Sequence, residues 1–111
     1  VFVSSYIVST VGVDPSEKQA LVDFYNGCCG TDWIHSDNWT VGDPCSNNWF
    51  GVFCESSHIV SLELPSNGVC GDIPTSIDDL TYIQSFLLDH NNITVIPNSF
   101  WNLQYLNNIT F

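Results

Sequence analysis

Positive charge is almost absent from this 111-residue sequence, which contains one lysine and no arginine. Twelve acidic residues leave a formal net charge of −11. Because a nucleic-acid ligand needs cations to neutralise its phosphates, this balance argues against nucleic acid as a partner, and it disfavours an anionic lipid surface in the same way. The carboxylates are scattered and lack the spacing of a calcium-binding loop, so we expect them to form a solvated acidic surface.

Long apolar runs and catalytic motifs are missing as well. No stretch of eighteen or more apolar residues occurs, so the sequence predicts no membrane span. His35, His58 and His90 fall in different segments, and neither a nucleophile elbow nor a Cys-His-Asn arrangement can be placed on one face. We therefore predict that the protein is not an enzyme and has no catalytic residue, cofactor or metal site.

The sequence does contain a repeated spacing of apolar, Asn and Ile-Pro positions. The pattern recurs after 24 residues, from Ile59 to Ile83, and restarts after 23 more at Leu106. Its members are Ile59, Leu62, Leu64, Asn67, Val69, Ile73-Pro74, Ile77 and Leu80; Ile83, Phe86, Leu88, Asn91, Ile93, Ile96-Pro97, Phe100 and Leu103; and Leu106, Ile109 and Phe111. This spacing is the signature of leucine-rich repeats, which stack into a solenoid and present an extended binding surface.

Each repeated position has a physical role. Apolar residues two apart in a short strand point to the same side, so Leu62 and Leu64 enter a core shared with the next repeat. Asn67 and Asn91 follow the strands, where an amide can satisfy backbone groups outside the sheet, so we expect an asparagine ladder. We predict parallel strands around residues 62–64, 86–88 and 109–111. Their outward positions predict a concave face of Ser61, Glu63, Ser85, Leu87 and Asp89.

The segment before the repeats is predicted to begin with a helix over residues 15–26. Asp14 is a candidate N-cap, Pro15 suits the first helical position, Glu17 could reach back to the N-cap, and Gly27 would end the helix. The residues expected on its apolar face are Ala20, Leu21, Phe24 and Tyr25. The aromatic residues that follow are Trp33, Trp39, Trp49, Phe50 and Phe53, and we expect them to cover the open end of the first repeat. A carbohydrate or ligand platform is the alternative.

This segment resembles the N-terminal cap of plant-type leucine-rich-repeat proteins. The likeness rests on residues 17–26, Trp33, Asn38-Trp39, Asp43-Pro44-Cys45, residues 49–54 and the Gly71-x-Ile73-Pro74 stretch. It implies an α/β solenoid, a right-handed coil with a short parallel sheet and a helical cap closed by a Cys45–Cys54 disulfide. It also implies an extracellular or cell-surface module that binds a protein, peptide or glycan ligand without catalysis.

The family pattern gives no firm partner for Cys28, Cys29 and Cys70. Five cysteines leave at least one unpaired within the chain, either as a buried thiol or as a link between chains. A zinc site of Cys28, Cys29 and His35 is disfavoured, because the spacing is not that of a zinc motif and an oxidising compartment does not favour one.

Three N-glycosylation sequons begin at Asn38, Asn92 and Asn108. Asn92 follows a ladder asparagine and is expected at an exposed turn. Asn108 matches the outward positions of Ser61 and Ser85, where a glycan would obstruct ligand access. We predict glycans on Asn38, Asn92 and Asn108, and we expect Asn38 to be used less completely because a tryptophan occupies the middle of its sequon.

The sequence divides into a β-prone extension (1–13), a cap (14–58) and repeats (59–82, 83–105 and a partial 106–111). The first hypothesis for function is a non-catalytic extracellular recognition or adhesion module. The alternative is a glycosylated structural protomer that joins copies of itself head to tail into a filament, because an uncapped solenoid exposes an apolar end and a strand edge. The candidate contact residues are Val1, Val3, Tyr6, Ile7 and Val8 with Leu106, Ile109 and Phe111.

Overall fold

Short strands joined by turns and 3₁₀ helices make up most of the fold. The computed structural model describes residues 12–111, which form one α-helix, three 3₁₀ helices and six strands. Helix α1 is Pro15–Gly27, and the 3₁₀ helices are Gly30–Asp32, Thr75–Asp79 and Asn98–Asn102. The strands are β1 (Val52–Glu55), β2 (His58–Glu63), β3 (Cys70–Asp72), β4 (Ser85–Leu87), β5 (Asn92–Val95) and β6 (Asn108–Thr110). The strand predicted at the N-terminus, with Val1, Val3, Tyr6, Ile7 and Val8, lies outside the described residues.

Two sheets run along the repeats. The larger sheet has the order β1-β2-β4-β6, and β2, β4 and β6 are parallel. Its register aligns Ser61 with Ser85 and Ser85 with Asn108, so equivalent positions of successive repeats lie side by side. The parallel pairing predicted from the repeat spacing is confirmed. A second parallel sheet of β3 and β5, which the sequence did not predict, forms later in each repeat.

The larger sheet also contains an antiparallel strand, β1, that the sequence did not predict. Strand β1 belongs to the predicted cap and pairs with β2 through a hairpin, with Glu55 opposite His58. The two turn residues, Ser56 and Ser57, both have positive φ angles of 51° and 64°. Such a turn matches the twist of its strands but normally uses Asn or Gly, which explains why the hairpin was not predicted.

The core is formed by the inward side chains of the first two repeats and by α1. The fully buried repeat residues are Ile59, Leu62, Leu64, Val69, Ile77, Leu80, Ile83, Phe86, Leu88 and Phe100. Phe24 of α1 is also fully buried and packs edge to face against Phe86, with ring centroids 6.1 Å apart. At the third repeat, Leu106 is half-buried and Ile109 and Phe111 are exposed. Head-to-tail self-assembly through these residues stays a prediction.

Glu17 has a different role from the one predicted. No side-chain capping bond forms at Asp14, and Glu17 is only 1% exposed. Its Oε1 accepts a 2.8 Å hydrogen bond from the Ile59 N–H, and its Oε2 lies 2.8 Å from His58 Nδ1. Glu17 shares the inward stripe of α1 with Phe24, because residues three and four apart lie on one helix face. The carboxylate therefore joins the cap helix to the start of β2.

The tryptophans of the cap are buried, as predicted. Trp33, Trp39 and Trp49 pack against one another, and each indole N–H donates a 2.8 Å hydrogen bond to a backbone carbonyl. Phe50 and Phe53, predicted to share this covering role, are exposed instead. The cap is thus closed by the three indoles.

Asp43 organises the turn of the Asp-Pro-Cys motif. Its Oδ2 accepts hydrogen bonds from the N–H groups of Cys45 and Ser46 at 3.0 and 2.9 Å, and its Oδ1 accepts one from the Val13 N–H at 3.0 Å. Burial acts to raise the pKa of Asp43, but these backbone donors outweigh it and lower the pKa. An ionised Asp43 therefore stabilises the fold above the ordinary Asp pKa, and this stabilisation is lost as the pH falls through the lowered pKa.

Two disulfides tie the cap. Cys45 and Cys54 are bonded, as the resemblance implied, and Cys54 lies within β1. The second bond, Cys29–Cys70, was not predicted. It connects the segment just after α1 to the first residue of β3, so it links the cap to the first repeat. The zinc alternative that would use Cys28, Cys29 and His35 is ruled out, because the Cys29 sulfur is in this bond.

Cys28 is the remaining cysteine, and it is a buried free thiol. Burial, followed by the nearby negative charge of Asp72, raises the pKa of Cys28 to about 12. Its Sγ lies 3.5 Å from the Asp72 carbonyl oxygen. Since the thiolate is the reactive form, Cys28 should be inert in the folded protein.

We expect Glu17→Ala to lower the free energy of unfolding by about 2 to 3 kcal/mol, because the buried Ile59 N–H loses a charged acceptor. Urea denaturation followed by circular dichroism measures this. Asp79→Asn, at an exposed carboxylate, is the control and should change little. A Glu17→Ala protein as stable as the control would contradict this role.

We expect iodoacetamide at about pH 8 to leave the folded protein unmodified, since Cys28 is buried and protonated. Unfolding without reductant should allow one modification, and unfolding with reductant should allow five. Intact-mass measurement counts the additions. Modification of the native protein, or more than one addition before reduction, would overturn the assignment.

Candidate ligand-binding surface

The sheet face consists of the outward positions of β2, β4 and β6 and the residues just after them. Strand register places Ser61, Ser85 and Asn108 in one row, and Glu63, Leu87 and Thr110 in the next. Two hydrogen bonds connect polar groups here: Ser61 Oγ to Glu63 Oε2 at 2.8 Å, and Thr110 Oγ1 to Asp89 Oδ1 at 2.9 Å. The predicted concave residues are therefore brought together on one face.

Ser61 is the member of this face that is not accessible. It is only 8% exposed, whereas Glu63, Ser85, Leu87 and Asp89 are half-buried. Ser61 is paired with Phe53 of the unpredicted strand β1, and directly opposed residues of neighbouring strands share a face. The accessible part of the sheet face therefore begins at the second repeat.

An aromatic ladder borders the sheet face, and its residues were not recognised as a site from the sequence. It consists of His58, Tyr82 and Tyr105. The His58 and Tyr82 rings stack with centroids 3.9 Å apart, and the Tyr82 and Tyr105 rings are nearly parallel at 6.0 Å. Each residue directly precedes the first apolar position of a repeat, so the ladder has the same 24- and 23-residue spacing as the repeats. That spacing is the signal that could have revealed it.

A pocket of about 280 Å³ lies beside the aromatic ladder. Glu55, Val60 and Gln84 line it together with the ladder. Tyr82 and Tyr105 remain 42% and 50% exposed. The β1–β2 hairpin positions Glu55 and His58, and the approach to β4 positions Tyr82. The pocket is thus built by the junction between the cap and the repeats.

Glu17 orients the first ring of the aromatic ladder. Its buried carboxylate holds His58 Nδ1 at 2.8 Å while the His58 ring stacks on Tyr82. Within the described part of the chain, Asp14, Glu17 and His58 also form a group whose potential metal-ligand atoms lie within 4.8 Å of one another. One Glu17 oxygen bonds His58 and the other bonds the Ile59 N–H. The three side chains of this group therefore lie close together because α1 contacts β2, and their closeness does not by itself indicate a metal site.

The asparagine ladder fixes the turns that follow the strands. Asn91 Oδ1 accepts hydrogen bonds from the Asn67 and Val69 N–H groups at 2.9 and 3.0 Å, and Asn91 Nδ2 donates to the Leu64 carbonyl at 2.7 Å. Asn67 does the same toward the cap, since its Oδ1 accepts from the His35 N–H and its Nδ2 donates to the His35 carbonyl. The ladder therefore continues into the cap.

The three sequon asparagines have different environments. Asn108 is exposed in β6 on the sheet face, and Asn92 is exposed in β5. Asn92 is thus in a strand and not at the predicted turn, because its N–H donates to the Val69 carbonyl. Asn38 is exposed too, but its Nδ2 donates to the carbonyls of Asn47 and Asn48 at 2.9 and 3.2 Å. That nitrogen is the atom to which a glycan would be attached.

Known proteins with similar sequences or structures were found, although no family model matches the chain. Protein STRUBBELIG-RECEPTOR FAMILY 2 of Arabidopsis thaliana is 26% identical over 88 residues, which cover 79% of this chain and 12% of that protein. A plant ice-binding protein superposes with a TM-score of 0.70 and 27% identity over 87% of this chain and 32% of its own. The leucine-rich-repeat ectodomain of the Arabidopsis thaliana receptor kinase SOBIR1 superposes with a TM-score of 0.70 and 19% identity over 90% of this chain and 54% of its own.

These relatives confirm the resemblance to extracellular leucine-rich-repeat proteins with a plant-type cap. The sequence relative is named as a receptor-family protein, in agreement with the extracellular or cell-surface location expected from the sequence. The chain spans about an eighth of the curated relative's length, and about a third to a half of the two solved chains. No helix in the described part of the chain has both the length and the apolar character that a membrane span requires.

We predict glycans on Asn92 and Asn108 and an unmodified Asn38, because Asn38 Nδ2 is engaged by two backbone carbonyls. Glycopeptide mass spectrometry of the protein secreted from eukaryotic cells assigns each site. Asn92→Gln and Asn108→Gln should each remove one glycan mass, and Asn38→Gln should remove none. Loss of a glycan from the Asn38→Gln protein, or none in the wild type, would contradict this assignment.

Proposed function

Because this chain is similar to the leucine-rich-repeat ectodomains of plant receptor kinases, we propose that it is a non-catalytic recognition module within a right-handed solenoid coil. Its ligand is an extended protein or peptide segment that lies across the sheet face and the aromatic ladder. The observation that carries the proposal is the ladder itself. Two half-exposed tyrosine rings continue the stack that begins at His58, and they line a pocket at the edge of the sheet.

A binding role agrees with how the polar residues are used. The Glu17 carboxylate holds the His58 ring in place, and Asn67 of the asparagine ladder accepts a hydrogen bond from the His35 N–H. Both histidines are therefore held by structural contacts. The cap and ladder thus give a pre-organised surface, which lowers the ordering cost of binding. Aromatic side chains supply much contact area at such surfaces with little loss of conformational entropy.

A peptide fits this surface better than a glycan does. A sugar ring binds an aromatic platform by lying against an open ring face. In the aromatic ladder, His58 stacks on Tyr82 at 3.9 Å and Tyr105 lies parallel to Tyr82 at 6.0 Å, so the rings stack on one another and do not form a flat platform of open ring faces. The ring edges and phenol oxygens remain available, and these suit the mixed apolar and hydrogen-bonding contacts of a peptide.

Selection of peptides from a random library displayed on phage tests this function. We expect recovered peptides whose affinity falls at least about tenfold with Leu87→Arg, because the new side chain would lie in the centre of the sheet face. Thr75→Arg is the matched control on an exposed 3₁₀ helix and should bind as the wild type does. Failure to recover any peptide, or equal losses in both variants, would reject the proposed function.

A further inference from the structure

The pocket beside the aromatic ladder has one ionised side chain without a partner. Glu55 is exposed, and among the described residues it makes no hydrogen bond or salt bridge. Glu63, on the sheet face, is different because it accepts the Ser61 hydroxyl. Glu55 therefore offers both carboxylate oxygens to a ligand in the pocket.

No lysine or arginine is paired with this carboxylate. The single cation of the sequence, Lys18, lies on helix α1, while Glu63 and Asp89 add negative charge to the neighbouring sheet face. Among the described residues, Lys18 forms no salt bridge with Glu55. The surface is complementary to a cation and would repel an anion.

The aromatic ladder provides the second element of a cation site. Tyr82 covers one face of Tyr105, and Tyr105 is half exposed. A guanidinium or ammonium group that lies near a tyrosine ring gains cation–π attraction, and arginine does so more often than lysine. The pocket volume of about 280 Å³ suits one long side chain rather than a large ligand.

From these observations we propose that the pocket recognises a basic side chain, preferably arginine, of an extended peptide ligand. The side chain lies along Val60, its guanidinium group binds the Glu55 carboxylate, and its planar head packs against Tyr105. The peptide main chain then continues across β4 on the sheet face. This inference rests on the proposed function and adds to it the chemical class of the ligand.

The sequon asparagines differ in how close they lie to the pocket. None of the lining residues is a sequon asparagine, and Asn92 lies in the second sheet. Asn108 is in the third repeat, whereas Glu55 and His58 belong to the hairpin at the other end of the sheet. The Asn108 N–H donates to the carbonyl of Gln84, which lines the pocket, so a glycan on Asn108 would lie on the Tyr105 side of the pocket and not on the Glu55 side.

Nuclear magnetic resonance titration tests this directly, with acetyl-Gly-Arg-Gly-amide as the probe and its citrulline analogue as the neutral control of the same shape. We expect the arginine peptide to shift the ring signals of Tyr82, Tyr105 and His58, and the citrulline peptide to bind at least about threefold more weakly. Raising the salt from about 0.05 M to about 0.5 M should weaken the arginine peptide only.

Variants locate the contact. Glu55→Gln should raise the Kd for the arginine peptide by about three- to fivefold, and Tyr105→Ala by about two- to fivefold. Asp79→Asn and Trp101→Ala, at exposed positions on other elements, are matched controls and should leave the Kd unchanged. Both Glu55 and Tyr105 are largely exposed, so the indole N–H signals of the cap should show that the variants remain folded.

The outcomes separate this inference from the proposed function. Equal shifts with arginine and citrulline, or no effect of Glu55→Gln, would overturn recognition of a cation. If library peptides bind the sheet face but carry no Lys or Arg and tolerate Tyr105→Ala, the recognition module stands and the arginine pocket is rejected. If no library peptide binds and the probe causes no shifts, both proposals fail.

Discussion

A repeat of this kind cannot cover its own apolar residues on both sides, and this constraint determines how the rest of the protein is built. The first repeat is covered by the second repeat on one side and by α1 on the other, where Phe24 reaches Phe86 in the centre of the stack. The three buried indoles extend that cover. The cap therefore completes the core of the first repeat, and the cap and this repeat share one apolar core.

The same junction determines where a ligand can bind. Glu17 bridges α1 and β2. Its partner His58 is the first residue of β2, directly after the hairpin turn, and it is also the first ring of the aromatic ladder. Within the described residues, every buried side-chain nitrogen or oxygen has a hydrogen-bond partner. Polar groups that have no internal partner, such as the Glu55 carboxylate, are thus confined to the surface. The contacts that close the core at the cap also hold the pocket walls in place.

The sequence predicted the parts of the fold that depend on a repeated local pattern. The spacing of Leu62, Phe86 and Ile109 predicted parallel strands, because side-chain alternation and the repeat length are sufficient to specify them. The spacing did not predict the role of Glu17, since a carboxylate in the first turn of a helix suits a capping box equally well. Only the position of Ile59, 42 residues away, decides between the two.

The candidate surface was predicted in part for similar reasons. The outward positions of β4 followed from alternation, but the burial of Ser61 depends on β1, whose turn at Ser56 and Ser57 lacks the usual residues. The aromatic ladder was present in the sequence as a spacing of His58, Tyr82 and Tyr105. The spacing alone did not show that these three rings stack. Stacking depends on the strand register, which brings side chains 23 or 24 residues apart into contact.

The arrangement of the two disulfides has a mechanical consequence. The Cys45–Cys54 bond lies inside the loop closed by Cys29–Cys70, whose ends are 41 residues apart in sequence. A force that pulls on the two ends of the chain is transmitted directly across Cys29–Cys70, so it cannot draw out the enclosed residues. About 140 Å of extended chain is thereby withheld from stretching. The three cap indoles, the β1–β2 hairpin and Glu55 all lie within this protected loop, whereas Tyr82 and Tyr105 lie outside it.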